Sequence, residues 1–177
     1  TVLALGVVSN GKVTTDGSVV TFTPATFVNG SATFTYTVSD GTLTSSASVT
    51  VTIRPVNDPP LAHDDLVTTN EDTSVIIDVV ANDLDPDLDP LLLGMVSIPT
   101  SGTAVKVGNQ VLYTPTLNFN GVDAFTYTIS DGLLNAGAKV TVTIHAVNDA
   151  PIAINDSATT NQDQAVSISI LANDSDP

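Results

Sequence analysis

The stretch Phe125-Thr126-Tyr127-Thr128-Ile129-Ser130-Asp131-Gly132 decides the fold of this chain. Large apolar side chains alternate with Thr and Ser, so one face of an extended strand is apolar and the other is polar. The strand pattern stops at Asp-Gly, a dipeptide that favours a tight turn. The stretch therefore predicts a half-buried β-strand that runs into a turn. The same period of two appears at Val75, Ile77 and Val79 and again at Val140, Val142 and Ile144.

An internal repeat extends this pattern over the whole chain. Val20 to Pro60 aligns without a gap with Val111 to Pro151, and 23 of 41 positions are identical. Leu61 to Pro86 aligns with Ile152 to Pro177 at the same separation of 91 residues, and 13 of 26 positions are identical. Such identity over a gapless period is far beyond chance, and a fixed period indicates a tandem array.

Turn signals divide each period into short segments. Proline and the dipeptides Gly-Asn, Asn-Gly and Asp-Gly punctuate the sequence about every 8–12 residues, which is typical of about seven short antiparallel strands. No apolar pattern of helical period stands out. The sequence therefore predicts an all-β protein made of tandem seven-stranded β-sandwiches with a 91-residue period.

The repeat frame predicts three segments. Residues 1–60 form the C-terminal part of a first sandwich, residues 61–151 a complete second repeat, and residues 152–177 the N-terminal strands of a third. Because the first and last segments complement each other, two explanations stay open. The tail of one chain completes the head of another by donating strands, or the chain is an arbitrary cut from a longer array.

Composition excludes several classes of function. The net charge is −15 with only four Lys and Arg residues, so the surface repels nucleic acid and anionic membranes. No apolar run approaches the roughly 18 residues that a membrane-spanning helix needs. The chain has no cysteine, so its fold needs no disulfide.

Four aspartates at alternate positions form an acidic loop: Asp83, Asp85, Asp87 and Asp89. If a turn converges them, like charges at ~4 Å repel by about 1 kcal/mol in water and about 4 kcal/mol at an effective dielectric of 20. A hard cation removes that repulsion, and oxygen ligands without thiols select Ca²⁺ over Zn²⁺. The loop therefore predicts a calcium site, with a solvated, unstructured acidic loop as the alternative.

Several motifs together resemble a known family. Val-Asn-Asp-x-x-Pro, Asn-Glu-Asp-Thr, Ala-Asn-Asp-x-Asp-Pro-Asp and Phe-Thr-Tyr-Thr-x-Ser-Asp-Gly are similar to the cadherin-like, immunoglobulin-type tandem repeats of large bacterial surface proteins. The resemblance covers essentially the whole chain. It implies Greek-key sandwiches with calcium between successive domains, located outside the cell or at the surface of a bacterium or archaeon.

The resemblance also implies two sets of calcium ligands. In the first set, the linker residues Asn57 and Asp58 work with Asp85, Asp87 and Asp131. In the second set, Glu71 works with Asn148, Asp149, Asp174 and Asp176. Two positions depart from the pattern of this family. Leu88 stands where the family usually has glycine, and Gln162, which is 91 residues after Glu71, replaces the acidic residue.

The predicted function is structural: a calcium-stiffened rod of a cell-surface adhesin or extracellular filament, whose partners are other copies or adjacent repeats. The alternative is a module that binds polysaccharide or a cell surface through exposed aromatic side chains, of which Phe119 is the best candidate. We expect no catalytic activity, because His63 and His145 lie beside linkers and no nucleophile pairs with them. A glycosidase-like carboxylate pair would need a cleft and one raised pKa, which a repeat does not supply.

Overall fold

The computed structural model describes residues 1–176, which consist of β-strands joined by turns and loops. These residues contain no helix, so the prediction of an all-β protein is confirmed. Accordingly, no helix in the described part of the chain could cross a membrane. Pro177, the last residue of the predicted third segment, lies outside the described residues.

The chain divides into two compact units. The first unit comprises Thr1–Leu61 and two loop segments, Leu84–Leu91 and Ser130–Asn135. The second unit comprises the remaining described residues. Because this division follows spatial contact and not sequence similarity, the repeat boundaries at residues 60 and 151 stay a prediction.

Five strands belong to the first unit. They form a three-stranded sheet in the order β1-β4-β5 and a separate two-stranded hairpin of β2 and β3. Ala32 and Phe34 on β4 are its fully buried apolar residues. The strands are β1 (Val2–Leu5), β2 (Gly11–Thr15), β3 (Val20–Pro24), β4 (Gly30–Ser39) and β5 (Thr44–Ile53).

Seven strands follow, and they form the two sheets of a sandwich. One sheet has the order β7-β10-β9 and the other has the order β6-β12-β11-β8. The count agrees with the seven strands predicted for a complete repeat. The strands are β6 (Asp65–Asn70), β7 (Val75–Ile77), β8 (Leu92–Val96), β9 (Gly102–Val107), β10 (Gln110–Pro115), β11 (Gly121–Ser130) and β12 (Asn135–His145).

The core of this sandwich follows the alternation read from the sequence. On β11, Phe125, Tyr127 and Ile129 are buried while the residues between them are more accessible. Val140, Val142 and Ile144 repeat the pattern on β12. The rings of Tyr113 and Phe125 stack with centroids 6.1 Å apart.

One pair of strands departs from the predicted antiparallel arrangement. β6 runs parallel to β12, with Asp65 opposite Val140 and Asn70 opposite His145. A parallel pair needs a long connection between its strands, and here five other strands lie between the two. Local periodicity carries no information on that pairing, so the sequence analysis missed it.

The first unit contains counterparts of five of these seven strands. Each of β8 to β12 has an equivalent 91 residues earlier, from β1 to β5, whereas residues 1–61 contain no equivalent of β6 or β7. The edges that β6 and β7 occupy on β12 and β10 are therefore open on β5 and β3. As a result Val38 is 38% exposed, while its counterpart Ile129 is fully buried.

Candidate functional site

The linker after β5 meets two of the predicted acidic ligands within the first unit. The side-chain amide of Asn57 donates a hydrogen bond to Oδ2 of Asp131 at 2.9 Å. The main-chain N–H of Asp58 donates to Oδ2 of Asp87 at 2.7 Å. Four members of the first predicted ligand set, Asn57, Asp58, Asp87 and Asp131, are thus brought together, and we call them with Asp85 the linker cluster.

Asp85 is the most buried carboxylate of the linker cluster, with 5% of its surface exposed. Its Oδ1 accepts main-chain N–H groups from Asp87 at 2.8 Å and Asp89 at 3.3 Å. Its Oδ2 is buried and has no hydrogen-bond partner among residues 1–176. A buried polar atom without a partner costs about 1–3 kcal/mol, and more when it is charged. This orphaned oxygen fits a site that a cation completes.

Asp131 is held in place by the turn that follows β11. Its Oδ1 accepts the main-chain N–H groups of Leu133 and Leu134, both at 2.6 Å, which leaves Oδ2 for Asn57. The hydrogen bonds from Leu134 and Asn57 lower the pKa of the Asp131 carboxyl below its ordinary value of 3.8. The group therefore stays ionised at neutral pH, as a calcium ligand must.

A second cluster surrounds Glu71 at the end of β6 in the second unit. Glu71 is 6% exposed; its Oε1 accepts the main-chain N–H of Val147 at 2.5 Å, and its Oε2 accepts the amide of Asn120 at 3.4 Å. A cavity of about 350 Å³ opens beside it. Its polar lining, which we call the Glu71 cluster, consists of Glu71, Asn118, Asn120, Asn148, Asp149 and Asp176.

Two predicted ligands, Asp83 and Asp174, form hydrogen bonds to groups outside both clusters. Oδ1 of Asp83 accepts the main-chain N–H of His63 at 2.7 Å, and both of its carboxylate oxygens accept the hydroxyl of Tyr127. Oδ1 of Asp174 accepts the main-chain N–H of Ile154 at 2.8 Å. These two carboxylates hold loops, and the structure does not bring them into either cluster.

Asp89 contributes its main-chain N–H, and not its carboxylate, to the hydrogen bonds of the loop. Its side chain is exposed, and its N–H is the group that bonds to Asp85. The exposed aromatic candidate Phe119 is half-buried.

Three asparagines that were not predicted as ligands line the clusters, and one of them is Asn118 beside Glu71. Asn120 contacts Glu71, and its counterpart Asn29 lines a cavity of about 190 Å³ with Asp58 and Asp87. The signal was present in the sequence, because Asn-Gly recurs at 29–30 and 120–121.

In the described residues, no group of three or more His, Cys, Asp and Glu side chains stands close enough to hold an ion. Such side chains therefore do not complete a metal site by themselves. Calcium takes six to eight oxygens, and amide and main-chain carbonyl groups supply many of them. Both clusters offer such groups next to their carboxylates, so their donor chemistry fits calcium and does not fit zinc.

Family models match most of the chain. A model described as bacterial Ig domain matches residues 57–145 and 148–177, and a model described as cadherin-like domain matches residues 1–54. The solved structures of two endo-fucoidan hydrolases from glycoside hydrolase family 107 are also similar. MfFcnA4 is 18% identical, with 83% of this chain and 23% of that chain covered and a TM-score of 0.42. MfFcnA9 is 16% identical, with 80% and 28% covered and a TM-score of 0.37.

One curated relative comes from a plant. Protein GAMETE EXPRESSED 2 of Arabidopsis thaliana is 40% identical over 72 residues, which is 41% of this chain and 8% of that protein. The chain therefore spans less than a third of the length of each of these relatives.

Proposed function

Because the chain belongs to the bacterial Ig domain family, we propose that it is a structural repeat of an extracellular surface protein and that calcium stiffens its linkers. The proposal assigns it no catalytic activity. Recognition of polysaccharide or of a cell surface stays a prediction from the sequence.

The observation that supports calcium most directly is the orphaned Oδ2 of Asp85. It belongs to an acidic loop in which Asp87 already holds the linker by accepting the main-chain N–H of Asp58. A cation bound by Asp85 and the oxygens around it would satisfy the buried atom and reduce the negative charge of the loop. It would thereby tie the linker more strongly to the turn at Asp131.

The overall charge of the chain also supports calcium binding. A chain with net charge −15 and four basic residues cannot neutralise its acidic loops with its own side chains. Divalent cations are suitable counter-charges for converging carboxylates, and extracellular modules bind calcium with Kd of order 10⁻⁴–10⁻³ M. Weak sites of this kind are filled only where calcium is abundant, which is outside the cell.

We further propose that chains polymerise head to tail by donating strands. In the described residues no strand pairs with β5 or β3 at the edges that β6 and β7 occupy on β12 and β10. The matching residues occur at 156–161 and 166–168 of the same sequence. There Val166 and Ile168 are 47% and 48% exposed. An open sheet edge and an exposed segment of fitting pattern in one sequence favour β-augmentation between copies.

Thermal unfolding with and without calcium tests the proposed stiffening. A ligand at about 100 times its Kd stabilises the folded state by about 2.7 kcal/mol per site, so we expect a clear rise in Tm that chelator reverses. Asp85→Asn should lose much of this rise. The matched control Asp78→Asn removes one charge from an exposed residue outside both clusters and should keep it. An identical Tm of the native chain in calcium and in chelator would contradict the proposal.

A further inference from the structure

We propose that Asn120 is a site of spontaneous covalent modification: its side-chain amide reacts with the main-chain nitrogen of Gly121 and is hydrolysed to a carboxylate. The modified residue adds a negative charge beside Glu71, so the Glu71 cluster gains a charged oxygen ligand with time. The effect on calcium binding rests on the proposed function, whereas the reaction itself does not.

The reaction joins two groups that are adjacent in every Asn-Gly dipeptide. The main-chain nitrogen of Gly121 attacks Cγ of Asn120 and loses its proton to water, and a new C–N bond forms. The Cγ–Nδ2 bond then breaks, and the amide nitrogen takes up a proton and leaves as ammonia. One water molecule opens the resulting cyclic imide to aspartate or isoaspartate. Glycine hinders the attack least because it has no side chain and a permissive main chain.

The structure leaves this dipeptide accessible. Asn120 and Gly121 are both exposed. Gly121 has φ +130°, and among the described residues outside its chain neighbours only the ring of Phe119 comes within 4 Å of the position that a Cβ would occupy, at 3.6 Å. Gly121 is also the first residue of β11, and strand ends open locally at a low cost in free energy. Water and main-chain motion are therefore both available to the reaction.

The amide of Asn120 is held only weakly. It donates to Oε2 of Glu71 at 3.4 Å, which is longer than an ordinary N–H···O hydrogen bond. A carboxylate in place of the amide loses this hydrogen bond and sets a second negative charge beside the buried Glu71. Like charges at such a distance repel unless a cation lies between them. The modification should therefore destabilise the Glu71 cluster without calcium and strengthen its binding of calcium.

The same dipeptide is protected elsewhere in the chain, at Asn10 and Gly11. The amide of Asn10 donates to the main-chain oxygen of Ser31 at 3.0 Å, and its own main-chain oxygen accepts the N–H of Ala25 at 3.0 Å. A Cβ at Gly11 would lie 2.6 Å from the ring of Phe22. One Asn-Gly is thus enclosed and fixed while the other is open, which supplies an internal control within one molecule.

Peptide mapping by mass spectrometry, after incubation of the whole folded chain in mildly alkaline buffer, tests the modification. The peptide with Asn120 should gain the mass difference between an amide and a carboxylic acid about tenfold faster than the peptide with Asn10, the effect of about 1.4 kcal/mol in the free energy of local opening. In the denatured chain both should react at similar rates, because the dipeptide is the same. Equal rates in the folded chain, or a faster reaction at Asn10, would overturn the proposal.

Asn120→Asp tests the effect on calcium with one defined product. It should lower the Tm in chelator and enlarge the calcium-induced rise in Tm. The matched control Gln110→Glu converts an amide outside both clusters and should leave this rise unchanged. If Asn120 is modified but the two variants respond alike, the modification stands and its effect on calcium is wrong. If the native chain ignores calcium, the proposed function fails while the peptide map still decides the modification.

Discussion

The hydroxyl of Tyr113 donates a hydrogen bond to Oδ2 of Asp123 at 2.8 Å inside the sandwich core. Asp123 also accepts main-chain N–H groups from Thr100, Ser101 and Ala124. In the first unit the two equivalent positions are Phe22 and Ala32. The polar pair Tyr113 and Asp123 of the complete repeat therefore corresponds to an apolar pair in the first unit.

Removing one member of that pair should be worse than removing both. Asp123→Ala leaves the Tyr113 hydroxyl and several N–H groups unpaired, so we expect the free energy of unfolding to fall by about 3 kcal/mol. Adding Tyr113→Phe should recover about 1 kcal/mol, because no buried hydroxyl is then left. Denaturant unfolding of the single and double variants gives the coupling energy. Additive effects would show that the hydrogen bond contributes little.

Asp65 should make the folded state less stable at neutral pH. Burial raises the pKa of its carboxyl above 3.8; the nearby hydroxyl of Tyr127 opposes this, and the nearby Asp83 adds to it. A raised pKa in the folded state means that its contribution to stability is present below pH 3.8 and is lost as the pH rises through the folded pKa. Asp65→Asn should therefore raise the Tm at pH 7 and change it little at pH 3. A gain of equal size at both pH values would exclude ionisation as the cause.

Phe27 should be a strained residue. Its φ is +60°, in the left-handed region, and its counterpart Asn118 has φ +56°. Asparagine tolerates this conformation, whereas other side chains pay about 1–2 kcal/mol. Since Phe27 is about half exposed, Phe27→Asn should raise the free energy of unfolding of the first unit by about 1 kcal/mol.

The reciprocal change Asn118→Phe is the matched test and should destabilise the second unit by a similar amount. Leu88 has φ +65° and is 89% exposed. Leu88→Gly should therefore also relieve strain, and a loss of stability there would contradict the explanation.

Glu71→Gln should weaken the Glu71 cluster without changing its shape. The charged Oε1 accepts the N–H of Val147 at 2.5 Å, and hydrogen bonds to charged groups contribute about 1.5–3 kcal/mol against about 1 for neutral ones. We expect a loss of about 1 kcal/mol and a smaller calcium-induced rise in Tm. The control is Gln162→Glu, which adds the charge at the counterpart position; it should leave this rise unchanged.

The alternating pattern predicted which side chains of the central strands are buried. Phe125, Tyr127 and Ile129 are buried as expected. The run Val75, Ile77, Val79 was predicted as one strand, but β7 ends at Ile77 while Val79 stays fully buried beyond it. The alternation shows which side chains face the core. It is a weaker guide to the residue at which main-chain pairing ends.

The amino-acid sequence by itself determined the strand class, the number of strands in a complete repeat, and the acidic character of the linkers, because these depend on residue type and local spacing. It could not tell apart Asp83 and Asp85, which are two residues apart in one loop. The tertiary structure directs Asp83 to Tyr127, 44 residues away, and leaves Oδ2 of Asp85 buried without a partner. A carboxylate's role is set by the groups that surround it, and residues distant in the chain supply those groups only after folding.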